Sequence, residues 1–163
     1  MSTKTLGVDP GSTRIGFGII EESGGRIALV RYGCFEFSGE PGGHLLLLSR
    51  ALKKLIGSER PQRIALERLF FAKNRKTAMA VSEARGVIRS VIEETGIPLY
   101  EYTPSEVKAA VSLSGRADKK EVQHMVKLLL RMEKVPSPDD AADALALAIC
   151  CSSSAWKNNL DMR

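Results

Sequence analysis

Residues 5–20 read Thr5-Leu6-Gly7-Val8-Asp9-Pro10-Gly11-Ser12-Thr13-Arg14-Ile15-Gly16-Phe17-Gly18-Ile19-Ile20. The apolar run Leu6-Gly7-Val8 is a short strand, Thr5 to Asp9, that stops at the turn Pro10-Gly11-Ser12. From Ile15 to Ile20 glycine alternates with large apolar side chains. A second turn, Ser23-Gly24-Gly25, leads into the run Ile27 to Phe35. These three strands predict an antiparallel meander.

Downstream the periodicity changes. After Pro41-Gly42-Gly43, the residues Leu45, Leu48, Leu52 and Leu55 fall on one helical face. Arg63 to Leu69 is a predicted fourth strand. Thr77 to Thr95 is a predicted long helix, with Met79, Val81, Ala84, Val87, Ile88 and Val91 inward and Gly96 as its stop. Pro98 to Tyr102 is a fifth strand, and Thr103-Pro104-Ser105-Glu106 has the form of a capping box opening another helix. Helices at about Lys119 to Met132 and Pro138 to Cys151 complete the pattern. A meander, then alternating helix and strand, then helices predicts an α/β sheet covered on both faces. The expected organisation is one domain over residues 1–152, with 153–163 as a flexible C-terminal tail.

The chain has 163 residues, enough for a substantial hydrophobic core, and its 44% hydrophobic and 26% charged shares are those of an ordinary globular protein. A formal net charge of +5 suits a polyanionic partner and equally a plain basic surface. The three cysteines, Cys34, Cys150 and Cys151, are odd in number and lack C-x-x-C spacing. That usage points to a reducing compartment and to cysteines packed as small apolar residues. Met1 to Thr5 opens no apolar leader, and no apolar run approaches the ~20 residues needed to span a bilayer. The expected location is cytoplasmic.

Four carboxylates fall at element ends: Asp9 after the first strand, Glu67 after Ile64-Ala65-Leu66, and Asp140 and Asp143 in Asp139-Asp140-Ala141-Ala142-Asp143-Ala144-Leu145-Ala146. Singly, each has an ordinary structural account. Asp9 belongs to a turn, Glu67 could pair with Arg68, and Ser137-Pro138-Asp139-Asp140 reads as N-cap, N1, N2 and N3 of a helix. Asp143 lies deeper, among alanines that let the helix approach a sheet closely, and a buried carboxylate needs a cation or strong donors. Its i, i+3 spacing from Asp140 places the two side by side. Two carboxylates ~5 Å apart repel by roughly 3 kcal/mol at an effective dielectric of about 20, so four could share a pocket only with bound cations. An oxygen-only set suits Mg²⁺, and a pair of such ions suits hydrolysis of a phosphodiester.

Three segments carry a resemblance: Gly7-Val8-Asp9-Pro10-Gly11-Ser12, Leu66-Glu67-Arg68-Leu69-Phe70-Phe71-Ala72-Lys73-Asn74 and Asp140-Ala141-Ala142-Asp143-Ala144-Leu145-Ala146. Together with Glu83-Ala84-Arg85-Gly86-Val87 and Val122-Gln123-His124-Met125-Val126, they resemble the RuvC family, the bacterial Holliday-junction resolvases. The resemblance runs from about Leu6 to Cys151. It implies an RNase H-like fold, a five-stranded mixed sheet flanked by helices with the first three strands antiparallel. It implies a homodimer that nicks two opposed strands of a four-way DNA junction, with Asp9, Glu67, Asp140 and Asp143 as catalytic metal ligands. It further implies Mg²⁺, two ions per active site with Mn²⁺ able to substitute, and a branch-migration motor as a further partner.

By the same resemblance Phe70 touches DNA near the junction centre, and Lys108 and Lys119 are basic residues needed for activity. An exposed aromatic can stack on a base or wedge between steps, and a lysine near the scissile phosphate can stabilise developing charge. Lys73, Arg75 and Lys76 form a basic run suited to phosphate contact. The helix carrying Met79, Glu83 and Arg85 is the expected dimer surface. Asp139 is assigned to the helix cap and His124 to a structural role, while Trp156 has no assignment. Three rivals stay open: an RNase H-like nuclease acting on RNA or a hybrid, an actin-like ATPase, and a junction-binding module without catalysis. A single Asp-Pro-Gly turn and a chain too short for two lobes weigh against the ATPase.

Overall fold

The computed structural model describes residues 2–37, 43–68, 75–112 and 114–161, with side chains left undescribed at 75–76 and 155–161. The first strand, β1 (Thr3–Pro10), pairs antiparallel with β2 (Arg14–Ser23), which pairs antiparallel with β3 (Arg26–Glu36). The β2–β3 turn is made by Gly24 and Gly25 at φ 57° and 73°, values that glycine adopts without steric cost. The helix α1 (His44–Glu59) then leads to β4 (Arg63–Glu67), which lies parallel to β1 on its other side. After α2 (Arg75–Thr95), β5 (Leu99–Tyr102) adds parallel to β4. The result is one mixed five-stranded sheet in the order β3-β2-β1-β4-β5. The helices α3 (Pro104–Ser112), α4 (Lys119–Leu129) and α5 (Asp139–Asp161) follow.

Strand alternation sends opposite sides of the sheet into two cores. Leu6, Val8, Phe17, Ile19, Ile64 and Leu66 pack under α1 and α2, against Leu48, Leu52, Ile88 and Ile92. Ile20 and Ala65 face the other way, toward α3, α4 and α5, where Val107, Val126 and Leu145 are buried. The expected α/β sheet covered on both faces is therefore present, with the antiparallel meander as its first three strands.

Several boundaries and one face differ from the sequence reading. Met79 was expected inward but is 71% exposed. At about 100° per residue, the nine steps from Met79 to Ile88 make about two and a half turns of the helix, so the two point oppositely. Ile92 takes the buried place instead, at 1% exposure. The fourth strand ends at Glu67, short of Leu69, which lies outside the described residues. The helix α5 does not stop near Cys151 but continues to Asp161, through the stretch expected to be a tail. No glycine or proline follows Pro138 to break it. Ser152, buried in this helix, hydrogen-bonds the Glu22 carboxylate at 2.5 Å.

Candidate active site

Alternation and register decide where the first two acids point. On β1, Gly7 and Asp9 share the face turned toward α5; on β4, Ala65 and Glu67 do. The parallel pairing reaches Val8↔Leu66, so Asp9 and Glu67 come next, on neighbouring strands. They lie at the carboxyl ends of parallel strands, where open α/β sheets generally place their ligands.

The other two acids arrive with α5, and glycines decide how close it comes. A Cβ on Gly7 would lie 1.9 Å from the Ala144 carbonyl oxygen, and one on Gly16 would lie 1.9 Å from that of Asp140. At Gly18 a Cβ would meet the Leu145 side chain at 2.7 Å. The backbone of α5 therefore rests directly on β1 and β2, an approach no side chain would permit. Because Gly16 is the antiparallel partner of Asp9, the first turn of α5 lies across the rung that carries Asp9. The buried Ala141, Ala142 and Ala144 supply the matching small surface on the helix.

Between β1, β4, α3, α4 and α5 lies a cleft of about 250 Å³ lined by Asp9, Glu67 and Asp143 together with Lys108 and Lys119. A larger surface hollow of about 970 Å³ lies between the β2–β3 turn and the end of α4, and of the carboxylates only Glu133 lines it. In the smaller cleft burial, followed by Glu67, Asp143 and Asp140, holds the Asp9 carboxyl well above the ordinary aspartate range. Burial and then Asp143 raise Glu67. Asp143 is raised by burial despite the nearby Lys119. Lys119 Nζ lies 3.2 Å from the Asp143 carboxylate and 3.3 Å from that of Asp139. Burial would lower the ammonium pKa, but these two carboxylates outweigh it and leave Lys119 raised.

Asp140 stands beside this cleft and does not line it. Its Oδ2 is 3.2 Å from Arg14 Nε, yet this buried oxygen receives no aligned hydrogen bond. The Pro138 carbonyl accepts from the backbone N–H of Ala141 and Ala142, and the helix starts at Asp139. The cap is thus one residue later than the expected Ser137. Asp139 accepts from Gln123 Nε2 at 2.9 Å as well as pairing with Lys119, a link that the cap reading did not include.

Of the expected DNA-contacting residues, Lys108 and Lys119 line the cleft. Phe70 and Lys73 lie outside the described residues; Arg75 and Lys76 open α2, with undescribed side chains. His124 is exposed on α4 and lines a separate hollow with Arg116 and Glu121. The sequence reading missed the pairing of Arg14 with Asp140 and the role of Gly16 and Gly18. Glycine at alternate strand positions was the available signal, since it marks close approach of another backbone.

Among the described residues no three His, Cys, Asp or Glu side chains already converge as a ligand cage. The donor set nonetheless fits a hard divalent ion. It consists of carboxylate oxygens alone, three of the acids are held above their ordinary range, and Asp140 Oδ2 is a buried oxygen with an unmet hydrogen-bond capacity. Such a group of anions is relieved by a bound cation.

Comparison with known proteins places the chain in a family. The family model described as "Crossover junction endodeoxyribonuclease RuvC" matches residues 5–151. The chain is 47% identical over 151 residues to the protein of that name from Roseiflexus sp. (strain RS-1), covering 91% of this chain and 90% of that one. The solved structure of Thermus thermophilus RuvC superposes with a TM-score of 0.87 at 30% identity, covering 96% of this chain and 97% of that one. A second structure, T. thermophilus RuvC in complex with a Holliday junction substrate, gives a TM-score of 0.85 at 28% identity and covers 95% and 96%. With two cores around an RNase H-like sheet and its acids at the strand ends, the chain belongs to the RuvC family of crossover junction endodeoxyribonucleases.

Proposed function

We propose that the chain is a metal-dependent, structure-specific endonuclease that resolves Holliday junctions by paired symmetric nicks in DNA recombination and repair. The observation that carries this reading is that Asp9, Glu67 and Asp143, from two strands and a helix, line one cleft together with Lys108 and Lys119. Family membership over residues 5–151 supports the same reaction and the same substrate. The Thermus structure holding a Holliday junction is the relative that makes a four-way junction the substrate to test first.

Asp9, Glu67, Asp140 and Asp143 would hold the metal, which we take to be Mg²⁺, two ions per site, with Mn²⁺ able to substitute. When bound, the ions supply an activated water and stabilisation of the leaving 3′-oxygen. The four acids contribute charge and orientation, and the raised protonation of Asp9, Glu67 and Asp143 when metal-free is what a bound cation would relieve. Lys119, held by Asp143, is the group we assign to the scissile phosphate once a metal takes over that carboxylate. Lys108, which also lines the cleft, is assigned to the phosphate backbone, as are Lys73, Arg75 and Lys76; Phe70 is assigned to bases near the junction centre.

A four-way junction presents two equivalent strands, so a two-fold homodimer matches the substrate's symmetry. We assign the dimer face to α2 and retain a branch-migration motor as a further partner. Among the described residues no helix is long and apolar enough to cross a membrane. A cytoplasmic site of action follows from a DNA substrate in a bacterial-type enzyme.

The test is cleavage of a labelled four-way junction with Mg²⁺, run beside linear duplex and an RNA/DNA hybrid, using wild type and Asp9→Asn. Paired symmetric nicks in the junction alone, lost in the variant, are the expected result. Preferential cleavage of the hybrid would reassign the substrate. Junction binding without cleavage would make the protein a binding module.

A further inference from the structure

We propose that Arg85 is a positioning residue for catalysis, clamped by Glu101 so that it fixes the end of β4 and keeps Glu67 turned toward Asp9. This rests on the metal-nuclease reading for its consequence in turnover, but not for its geometry. Arg85 lies on α2, on the sheet face opposite the cleft. From there its Nε donates to the main-chain carbonyl of Glu67 at 3.3 Å. Its Nη2 pairs with the Glu101 carboxylate on β5, and both side chains are largely enclosed, at 15% and 26% exposure. Arg89, one turn further along α2, adds its Nη1 to the same carboxylate at 3.5 Å.

The position of the contact matters more than its strength. Glu67 is the last residue of β4, and among the described residues the ladder continues beyond it by one bond, from Arg68 N to the Tyr102 carbonyl at 2.8 Å. A strand end can twist about its axis, and its last side chain twists with it. Arg85 occupies the Glu67 carbonyl and so fixes the peptide plane on which that side chain depends. The guanidinium can do this because its planar fork serves a carbonyl and a carboxylate through separate nitrogens, which a lysine ammonium on a single stem cannot reproduce. Restraints of this kind, one step behind a metal ligand, commonly govern affinity by orienting it.

The experiment uses Arg85→Lys and Glu101→Gln, each alone and in a Glu67→Gln background. Four quantities are measured: melting temperature, its rise on titration with Mn²⁺ alone without DNA, and kcat and KM on the four-way junction. The expected result for Arg85→Lys is a folded protein whose half-saturating Mn²⁺ concentration rises about tenfold. Its kcat should fall about 10- to 100-fold with KM for the junction unchanged. In the Glu67→Gln background the same change should leave the Mn²⁺ response where it was, because the two residues act as one unit. A lower melting temperature with wild-type Mn²⁺ response and kcat would overturn the proposal and leave Arg85 a packing residue. If Arg85→Lys does not fold, Glu101→Gln decides by the same readings. A shifted Mn²⁺ response in a protein that cleaves no junction would sustain the positioning role and refute the nuclease reading.

Discussion

Asp9 is held above the ordinary aspartate range by burial first and by Glu67, Asp143 and Asp140 after it. Its folded value exceeds its unfolded one, so the folded protein keeps a proton that the unfolded chain has released. Stability of the metal-free protein therefore falls as pH rises from the ordinary value of 3.8 through the raised one. Asp9→Asn removes that charge and should melt a few degrees higher than wild type at neutral pH in chelator, with a flatter pH profile, while losing cleavage. Thermal melts across pH, with and without Mg²⁺, check both parts; a lower-melting variant would mean that Asp9 holds the fold by hydrogen bonding. Lys119 offers the complementary test at this scale. Its Nζ lies 3.2 Å from Asp143 and lines the cleft, so Lys119→Ala should lower kcat by about 10²–10³-fold if it meets charge developing on the phosphate. Single-turnover cleavage at saturating Mg²⁺ measures it, and a change in KM alone would reduce Lys119 to a binding contact.

At the scale of elements, the packing of α5 onto the sheet decides whether the acids meet at all. Gly7→Ala would place a methyl 1.9 Å from the Ala144 carbonyl, forcing the helix away from β1. The expected cost is about 3 kcal/mol or more, read from urea unfolding, together with loss of activity from a displaced Asp143. Gly57→Ala is the contrasting case. It lies in α1 with nothing within 4 Å of the added methyl, and should stabilise by about 0.5–1 kcal/mol through helix propensity alone. Equal effects at the two positions would show that α5 is not seated on the glycines. At this scale much was legible beforehand. The Thr103–Glu106 capping box forms as read, with Thr103 N donating to Glu106 at 2.7 Å and Glu106 N donating to Thr103 Oγ1 at 3.2 Å. Local motifs of this sort need no distant partner. The one-residue displacement of the α5 cap was not legible, since it depends on what the helix rests against, whereas its continuation to Asp161 had a signal in the absence of glycine and proline after Pro138.

For the whole molecule, the open question is the second copy. Met79, expected in the core, stands 71% exposed on α2, the helix assigned to the dimer face, and Glu83 beside it is exposed as well. A large apolar side chain in that position suits burial against a partner subunit. Met79→Asp should therefore shift sedimentation from dimer to monomer with the fold intact, and should replace paired nicks by slow, uncoupled single ones. A variant that remains dimeric would move the interface elsewhere on the surface. The basic surplus of +5 acts at the same scale, since counterion release makes junction affinity fall with salt.

The sequence by itself determined the order of strands and helices and the two-sided core, and it offered four acids at element ends as candidates. Each follows from short-range chemistry: alternation in Ile15 to Ile20, helical spacing of Leu48, Leu52 and Leu55, and carboxylates at element ends. Only the tertiary structure decided which acids share the cleft. Asp9, Glu67 and Asp143 line it while Asp140 turns to Arg14, because Gly7 and Gly16 let α5 settle on the sheet in one register. The links from Lys119 to Asp139 and from Arg85 to the Glu67 carbonyl belong to the same category. They join residues far apart in the chain, and backbone distance, not local pattern, sets whether such groups can touch.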